Sequence, residues 1–173
     1  MNFCPNCSTQ LIRELHAGRE RDLCPHPRCD FVHWNNPIPV VAAVVYHGDE
    51  VALVRNVGWP THWYALVTGF LESGEMPEEA VLREVAEEIG LDGRIERYLG
   101  MYEFYRSNQL IIAYAIEVDS KDTTLQEDEI VDIKWKHIED VKPWSAGTGR
   151  ALQEWLATRG VRRDLVDINL ARN

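Results

Sequence analysis

The chain has 173 residues, of which 45% are hydrophobic and 27% are charged, a composition that excludes a disordered or fibrous protein. Its formal net charge of -10 argues against a nucleic-acid binder with a broadly basic surface, because contacts with phosphate require clustered Lys and Arg. A phosphorylated ligand would need metal cations to screen it from the carboxylates of such a protein.

The N-terminal sequence MNFCPNCSTQLIREL lacks a basic region followed by an apolar one, and no run of about 18 apolar residues occurs in the sequence. We therefore expect a cytoplasmic protein that does not contact a membrane. All cysteines lie within the first 29 residues. In a reducing compartment this arrangement favours metal ligation over disulfides.

The cysteines form two short pairs, each expected to be a tight knuckle. Cys4 and Cys7 form a C-x2-C pair, and Cys24 and Cys29 form a C-x4-C pair. Two such pairs suit a tetrahedral Zn²⁺ with four thiolate ligands, which is a closed structural site. Two alternatives stay open: disulfide pairing, and replacement of one ligand by a histidine. The histidines concerned are His16, His26 and His33.

The turn-forming sequence NNPIP predicts a domain boundary, with a zinc ribbon over residues 1–36 and a main domain over residues 37–173. Two β-branched segments follow, and they predict a hairpin whose first strand, residues 40–46, is buried. A third strand is predicted over residues 64–71. Further strands are predicted over residues 95–105, 110–118 and 130–135.

Two helices accompany these strands. The first begins at Pro77, where proline and two following acids favour a first turn, and ends before Gly90. The second is predicted over residues 149–157. Because strands outnumber helices and include adjacent hairpins, the expected fold class is α/β, a mixed sheet with helices packed on its faces.

The first helix has an acidic face opposite an apolar one. At about 100° per residue, Glu84, Glu87 and Glu88 lie side by side. Such a face is solvated in most helices. Here Glu84 and Glu88 are like charges four residues apart, which costs a few tenths of a kcal/mol unless a cation lies between them. A hard divalent cation with oxygen ligands would make the arrangement favourable. The apolar face consists of Val81, Leu82, Val85, Ala86 and Ile89.

The segment GFLESGEMPEEAVLREVAEEIGL, residues 69–91, matches the pattern G-x5-E-x7-R-E-U-x-E-E-x-G-U, where U is a bulky aliphatic residue. It resembles the Nudix box at every specified position. The resemblance covers residues 37–160 and implies a Nudix hydrolase with an α/β/α sandwich fold. It also implies Mg²⁺- or Mn²⁺-dependent cleavage of a pyrophosphate bond.

By the same resemblance, Glu84, Glu87 and Glu88 are metal ligands, with Glu87 and Glu88 counted among the catalytic residues. Arg83 and Glu75 resemble the pair that braces the loop of the box against its helix. Chemistry is consistent with these roles, since clustered metals can neutralise phosphate oxygens, activate a water and stabilise the leaving phosphate.

A carboxylate must also take the proton of the attacking water. The candidates are Glu88 on the helix and an acid in the loop LQEDEIVDIKW. Other Nudix enzymes often place a further acidic ligand or base in such a loop, and Glu129 has the most similar position. Glu127 and Asp128 are close rivals, and an exposed acidic loop without a catalytic role is the alternative.

A zinc ribbon directly before a Nudix domain resembles the NADH pyrophosphatase branch of the family. Residues 68–72 resemble that branch's AGFVE run, and residues 146–151 resemble its late Gly-Thr segment. One stretch departs from the branch: where its SQPWPFPQS signature is expected, residues 102–110 read YEFYRSNQL. Selectivity for NADH is therefore less secure than the pyrophosphatase reaction.

The departing stretch contains Phe104, Tyr105 and Gln109, which we expect to stack on and hydrogen-bond to a base of the substrate. Trp34 corresponds to an aromatic residue at the exit of the ribbon and is a further candidate for substrate binding. Two other tryptophans are candidates for lining a pocket. These are Trp59 and Trp63, for which ordinary packing is an equally good explanation.

The working hypothesis is hydrolysis of NADH, NAD⁺, ADP-ribose or a similar dinucleotide to two monophosphates, with NAD-capped RNA ends as a further substrate. Similar ribbon-bearing enzymes suggest a homodimer. The enzymatic alternative is a nucleoside triphosphate pyrophosphatase. The non-enzymatic alternative is a Nudix sensor or adaptor that binds a partner through its ribbon. Within residues 1–36, four Arg are balanced by four acids, which speaks against nucleic acid as that partner.

Overall fold

The computed structural model describes residues 1–167. It divides into two compact units, Met1–Pro37 and the part that begins at Ile38. No helix within residues 1–167 is both long enough and apolar enough to cross a membrane.

The first unit contains a small antiparallel sheet in the order β1-β2-β3. Its strands are β1, Ile12–His16; β2, Arg19–Leu23; and β3, Val32–His33. Ala17 and Gly18, both with positive φ, join β1 to β2 as the two central residues of a tight hairpin turn. The strands are largely exposed. A unit this small buries too little apolar surface to be stable by that means alone.

The second unit contains a six-stranded sheet in the order β7-β8-β4-β5-β9, with β6 paired to β4. The β4–β8 pair is parallel and the other pairs are antiparallel, which confirms the mixed sheet. The strands are β4, Ile38–His47; β5, Glu50–Asn56; β6, Val67–Phe70; β7, Gly93–Phe104; β8, Gln109–Val118; and β9, Ile130–His137.

The two helices of this unit are α1, Pro77–Ile89, and α2, Gly149–Thr158. Side chains alternate along β4, so Val41 and Val45 join the apolar cluster of α1 while Val44 and Tyr46 join that of α2. The helices therefore cover opposite faces of the sheet, and the expected α/β/α sandwich is confirmed. Helix α1 contributes Val81, Val85 and Ile89 to the first cluster. Helix α2 contributes Leu152, Trp155 and Leu156 to the second.

The predicted strand over residues 64–71 is shorter in the structure. Only Val67–Phe70 pairs continuously with β4, whereas Ala65 forms an isolated bridge with Val54. The partner strand changes along this segment, because β5 pairs with the far end of β4 and β6 with its beginning. β6 consequently lies under α1, where it carries Thr68 and Gly69 to the acidic helix.

Candidate active site and metal centres

Helix α1 begins and ends as its sequence predicts. Pro77 is the first helical residue, and the Glu79 side chain accepts a hydrogen bond from the Met76 N–H at 3.2 Å. At the other end Gly90 adopts the left-handed conformation with φ of 69°. The burial of Val81, Val85 and Ile89 against the sheet sets the rotation of the helix and hence the direction of its glutamates.

The acidic face of α1 is not a solvated surface. Glu88 is only 2% exposed, the Glu84 side chain is 12% exposed, and the Glu87 side chain is 53% exposed. The Thr68 backbone N–H donates a hydrogen bond to the Glu88 carboxylate. A Cβ atom at Gly69 would overlap the Glu84 carboxylate, so a glycine at this position lets that carboxylate lie against β6. Two of the three glutamates thus point into the protein.

Glu88 is the most perturbed carboxylate of this face. Burial raises the pKa of Glu88 to about 8, and the charges of Glu84 and Glu129 act in the same direction. Within residues 1–167, its Oε2 atom is buried and has no hydrogen-bond partner. A buried carboxylate oxygen without a partner, beside other carboxylates, is a poor arrangement for the protein alone and a good one for a divalent cation. The residues therefore fit a metal.

Arg83 ties the loop of residues 69–75 to the helix. Its Nε and Nη2 atoms donate to the two oxygens of Glu75 at 2.8 Å and 3.0 Å, and its Nη1 donates to Glu84 at 2.8 Å and to Glu87 at 2.9 Å. These hydrogen bonds hold the pKa of Glu75 below its usual range. The geometry is the bracing arrangement that the resemblance implies, and the roles of these residues in catalysis stay predictions.

The loop before β9 places one of its three acids near the helix. The charge of Glu129 contributes to the raised pKa values of both Glu84 and Glu88, although burial is the larger cause in each case. The loop is attached to the end of α1, because the Gln126 N–H donates to the Glu88 carbonyl oxygen at 3.1 Å. Glu129 is thus the loop acid whose charge acts on Glu84 and Glu88. Its function as a ligand or base stays a prediction.

The cysteines of the first unit form the second candidate metal centre. Their four sulfur atoms lie within 4.8 Å of one another, with 3.6 Å between Cys4 and Cys29 and 3.4 Å between Cys7 and Cys24. These separations exceed the roughly 2.05 Å of a disulfide, so the thiols are free. Four sulfurs at roughly 2.3 Å from one Zn²⁺ would be roughly 3.8 Å apart in a tetrahedron. The cluster is consistent with the structural zinc of a ribbon.

None of the nearby histidines belongs to this cluster. The His26 Nδ1 atom accepts a hydrogen bond from the Arg28 N–H at 3.3 Å. His33 lies 3.8 Å from Asp22, and His16 packs edge-on against Trp34. The replacement of a cysteine ligand by one of them is therefore not needed.

The candidate substrate residues fall into two groups. Phe104 and Gln109 are directly paired across the ends of β7 and β8, and Tyr105, which is 85% exposed, begins the short 3-10 turn between them. A Cβ atom at Gly147 would lie 3.8 Å from the Phe104 ring, which places the late Gly-Thr segment beside it. Trp34 belongs to the first unit. The four assignments to substrate binding stay predictions.

Two features of the site were missed by the sequence analysis. One is the Thr68 N–H bond to Glu88, a backbone contact that side-chain patterns do not reveal. The other lies on β9, where Asp132 accepts a hydrogen bond from the Tyr64 hydroxyl and lies 4.0 Å from Arg55. An Asp within an apolar strand pattern was the available signal for the second.

The arrangement is an α/β/α sandwich with a carboxylate-bearing helix over a glycine of the sheet, which is the architecture of a metal-dependent hydrolase. The NUDIX domain model matches residues 36–156. The chain therefore belongs to the NUDIX family, as its box indicates.

Curated relatives include the NAD-capped RNA hydrolase NudC of Pseudomonas aeruginosa, which is 31% identical over 170 residues. The enzyme of the same name from Pseudomonas entomophila is 30% identical over 170 residues. Each alignment covers 98% of this chain and 56% of the relative, so the chain spans little more than half the length of these proteins.

Solved structures share the fold. A NUDIX hydrolase from Nitrosomonas europaea superposes with a TM-score of 0.76 at 19% identity, covering 96% of this chain and 97% of that one. An ADP-ribose pyrophosphatase from Streptococcus suis superposes with a TM-score of 0.59 at 18% identity, covering 76% and 98% of the two chains. At these identities the likeness shows the fold alone.

Proposed function

We propose that this chain is a divalent-metal-dependent pyrophosphatase that hydrolyses a nucleoside diphosphate derivative to two monophosphates. The observation that carries the proposal is Glu88, a buried carboxylate with an unpartnered oxygen and a pKa of about 8, beside Glu84 and near Glu129. A helix held only for stability would gain nothing from such a group, because burying a polar atom without a hydrogen-bond partner is unfavourable.

Glu84, Glu87 and Glu88, together with Glu129, are the residues that would hold Mg²⁺ or Mn²⁺. When bound, such a metal withdraws charge from the phosphate oxygens and lowers the pKa of a water molecule. Arg83 keeps the carboxylates of Glu84 and Glu87 at fixed positions on the helix surface. This leaves the chain with a preformed ligand set.

In the reaction, the oxygen of water forms a bond to one phosphorus and the bridging P–O bond breaks. The proton of the water goes to a carboxylate, for which Glu88 and Glu129 are the candidates. Glu88 is buried and accepts a hydrogen bond from the Thr68 N–H, whereas Glu129 is exposed and directly precedes β9. The attacked phosphate, now bonded to the oxygen of water, is one monophosphate, and the leaving phosphate departs with the bridging oxygen as the other.

For the substrate, we propose NADH, NAD⁺, ADP-ribose or a similar dinucleotide, and also NAD-capped RNA ends. The names of the Pseudomonas relatives support the nicotinamide dinucleotides and the capped ends. Phe104, Tyr105 and Gln109 would contact a base at the end of β7 and β8, with Trp34 as a further contact. We also propose that the protein is a homodimer and that the zinc ribbon has a structural role.

The test is a substrate screen of purified protein with Mg²⁺ and with Mn²⁺, using dinucleotides, nucleotide sugars and nucleoside triphosphates. We expect dinucleotides to give two monophosphates, identified by chromatography, and Glu88→Gln to form them at least about 100-fold more slowly. Hydrolysis of triphosphates alone would favour the triphosphate pyrophosphatase. Absence of turnover with every substrate would favour a sensor or adaptor.

A further inference from the structure

The connection between β5 and β6 is aromatic and carries no charged residue. Residues 57–63 read VGWPTHW and form two successive turns, in which Trp59 N–H donates to the Asn56 oxygen at 3.2 Å and Trp63 N–H to the Pro60 oxygen at 3.0 Å. The turns hold the segment in a defined shape. We call residues 57–63 the aromatic segment.

The rings of this segment pack against one another edge to face. The Trp59 and Trp63 centroids are 6.4 Å apart at an interplanar angle of 77°, and His62 packs on Trp63 at 6.3 Å. Trp59 is nevertheless 37% exposed. An indole ring that is held by a neighbour and still open to solvent is preorganised for a further planar group.

Cations border the aromatic segment. The Lys134 ammonium lies 4.0 Å from the ring centroid of Tyr64, which directly follows the segment. Arg55 lies just before the segment and 4.0 Å from Asp132, whose carboxylate also accepts the Tyr64 hydroxyl hydrogen. Arg55, Asp132 and Lys134 form one group of charges. Arg55 balances the charge of Asp132, so the exposed Lys134 gives the group a net positive charge. In a chain of net charge -10, such a surface is favourable for an anion.

Both ends of the aromatic segment are attached to the candidate active site. Its first residue, Val57, donates its N–H to the Glu129 carbonyl oxygen at 2.8 Å. Beyond its last residue, the chain enters β6, whose Thr68 N–H bonds to Glu88. The aromatic segment is therefore joined at both ends to elements that carry candidate active-site residues.

We propose that the aromatic segment and Lys134 form a nucleotide subsite, in which a nucleobase of the substrate stacks on Trp59 and phosphate charge is attracted by Lys134. The inference rests on the proposed function, because it requires a nucleotide substrate. Stacking of a base on an aromatic side chain is tolerant of base identity, and it needs no hydrogen-bonding groups. The aromatic segment offers such a surface without a carboxylate that would repel phosphate.

The first test measures binding without catalysis, by equilibrium dialysis of AMP and of nicotinamide mononucleotide separately, in buffer without Mg²⁺ or Mn²⁺. We expect Trp59→Ala to lose about tenfold in affinity for at least one of them, and Trp59→Phe, which keeps a ring, to lose less. Phe3→Ala removes another exposed aromatic side chain, in the first unit, and should bind as wild type. Unchanged affinity of Trp59→Ala for both nucleotides would overturn the subsite, as would absence of binding to wild type at millimolar concentration.

The second test separates substrate binding from damage to the catalytic carboxylates. Trp59→Ala should raise KM for a dinucleotide by about tenfold, with kcat within about a factor of two of wild type. A fall in kcat at unchanged KM would contradict the subsite, because it would mean that the change acts through Glu129. Wild-type protein that binds nucleotides but hydrolyses none would refute the proposed function and leave the subsite standing.

The phosphate part of the proposal has its own variant. Lys134→Gln should weaken AMP binding a few-fold and reduce its dependence on salt, since an exposed charge is screened by ions. Lys142→Gln is the matched control, because Lys142 is another exposed lysine of this unit and lies outside the group around Tyr64. An equal salt dependence in Lys134→Gln and wild type would exclude Lys134 from the subsite.

Discussion

The two candidate metal sites differ in what holds their ligands in place. In the first unit, four thiols come from knuckles beside strands that are largely exposed, so few apolar contacts support them. In the second unit, Glu88 is buried on a helix whose apolar face packs on a six-stranded sheet. We therefore expect a metal at the first site to stabilise the fold, and we expect the second unit to fold without a metal.

The two sites should therefore respond differently to the loss of one ligand side chain. Loss of a thiol should unfold the first unit, because the cluster substitutes for a core that the unit lacks. Loss of a carboxylate should leave the second unit folded and inactive, because its apolar clusters do not depend on the acidic face.

The largest expected effect is that of Glu88→Gln. Removing this carboxylate should lower kcat by about 10²- to 10⁴-fold, the range for loss of a general base, and loss of a metal ligand acts in the same direction. The thermal stability of the second unit should be unchanged or higher, because the variant no longer buries an ionisable group. Kinetics with Mg²⁺ and a thermal melt check both statements.

Glu79→Gln is the control for this change, since it lies on the same helix and glutamine can still accept the Met76 hydrogen bond. Its turnover should match wild type. Near-normal turnover of Glu88→Gln would mean that the buried carboxylate is neither ligand nor base.

Substitutions in the acidic loop before β9 should lower kcat less than Glu88→Gln does. The three adjacent acids of this loop can be compared directly with one another. Glu129→Gln should lower kcat by about 10²-fold, because the charge of Glu129 acts on Glu84 and Glu88. Glu127→Gln and Asp128→Asn remove neighbouring charges that have no such link, and both should stay within about twofold of wild type. Equal losses in all three variants would show that the loop acts through its summed charge.

The contrast between the two sites also decides how much the sequence could predict. The cysteine cluster and helix α1 follow from spacing and local chemistry: the C-x2-C and C-x4-C pairs form one cluster, and Pro77 and Gly90 limit the helix. The mixed sheet with helices on its faces is likewise predicted from strand patterns, whereas the α/β/α sandwich is what the resemblance of the box implies. In each of these cases, the determining residues are close together in the chain.

The burial of the acidic face could not be predicted in the same way. A helical wheel places Glu84 and Glu88 opposite the apolar face and indicates nothing about what covers them. In the structure, β6 covers them, and this position depends on β4 pairing with different partners along its length. The choice of Glu129 over its neighbours has the same origin, because it depends on how the loop is attached to the end of α1.

In the first unit, Cys4→Ser tests the stabilising role of the cluster. The variant should contain little zinc by elemental analysis, and the melting of the first unit should shift to a lower temperature, since three thiolates hold the metal more weakly than four. The melting of the second unit should not change. His26→Ala is the control, because His26 lies outside the cluster, and it should keep its zinc. Unchanged metal content in Cys4→Ser would refute the ribbon.

The smallest expected effect is a pH dependence of stability that belongs to the second unit. Without Mg²⁺ or Mn²⁺, Glu88 has a pKa of about 8 in the folded protein, whereas an unfolded Glu has a pKa of about 4.3. Between these values, the folded state holds a proton that the unfolded state has lost. The free energy of unfolding should therefore fall as pH rises from about 5 to about 8, and level off above that.

Melts of wild type and Glu88→Gln between pH 5 and pH 9 measure this dependence, with the second unit followed by its own transition. The melting temperature of wild type should fall relative to that of the variant as pH rises, because the variant has no proton to release at this position. Saturating Mg²⁺ should restore stability at high pH, where the ionised carboxylate binds it. If Glu88→Gln shows the same slope as wild type, the buried carboxylate is not the group that titrates.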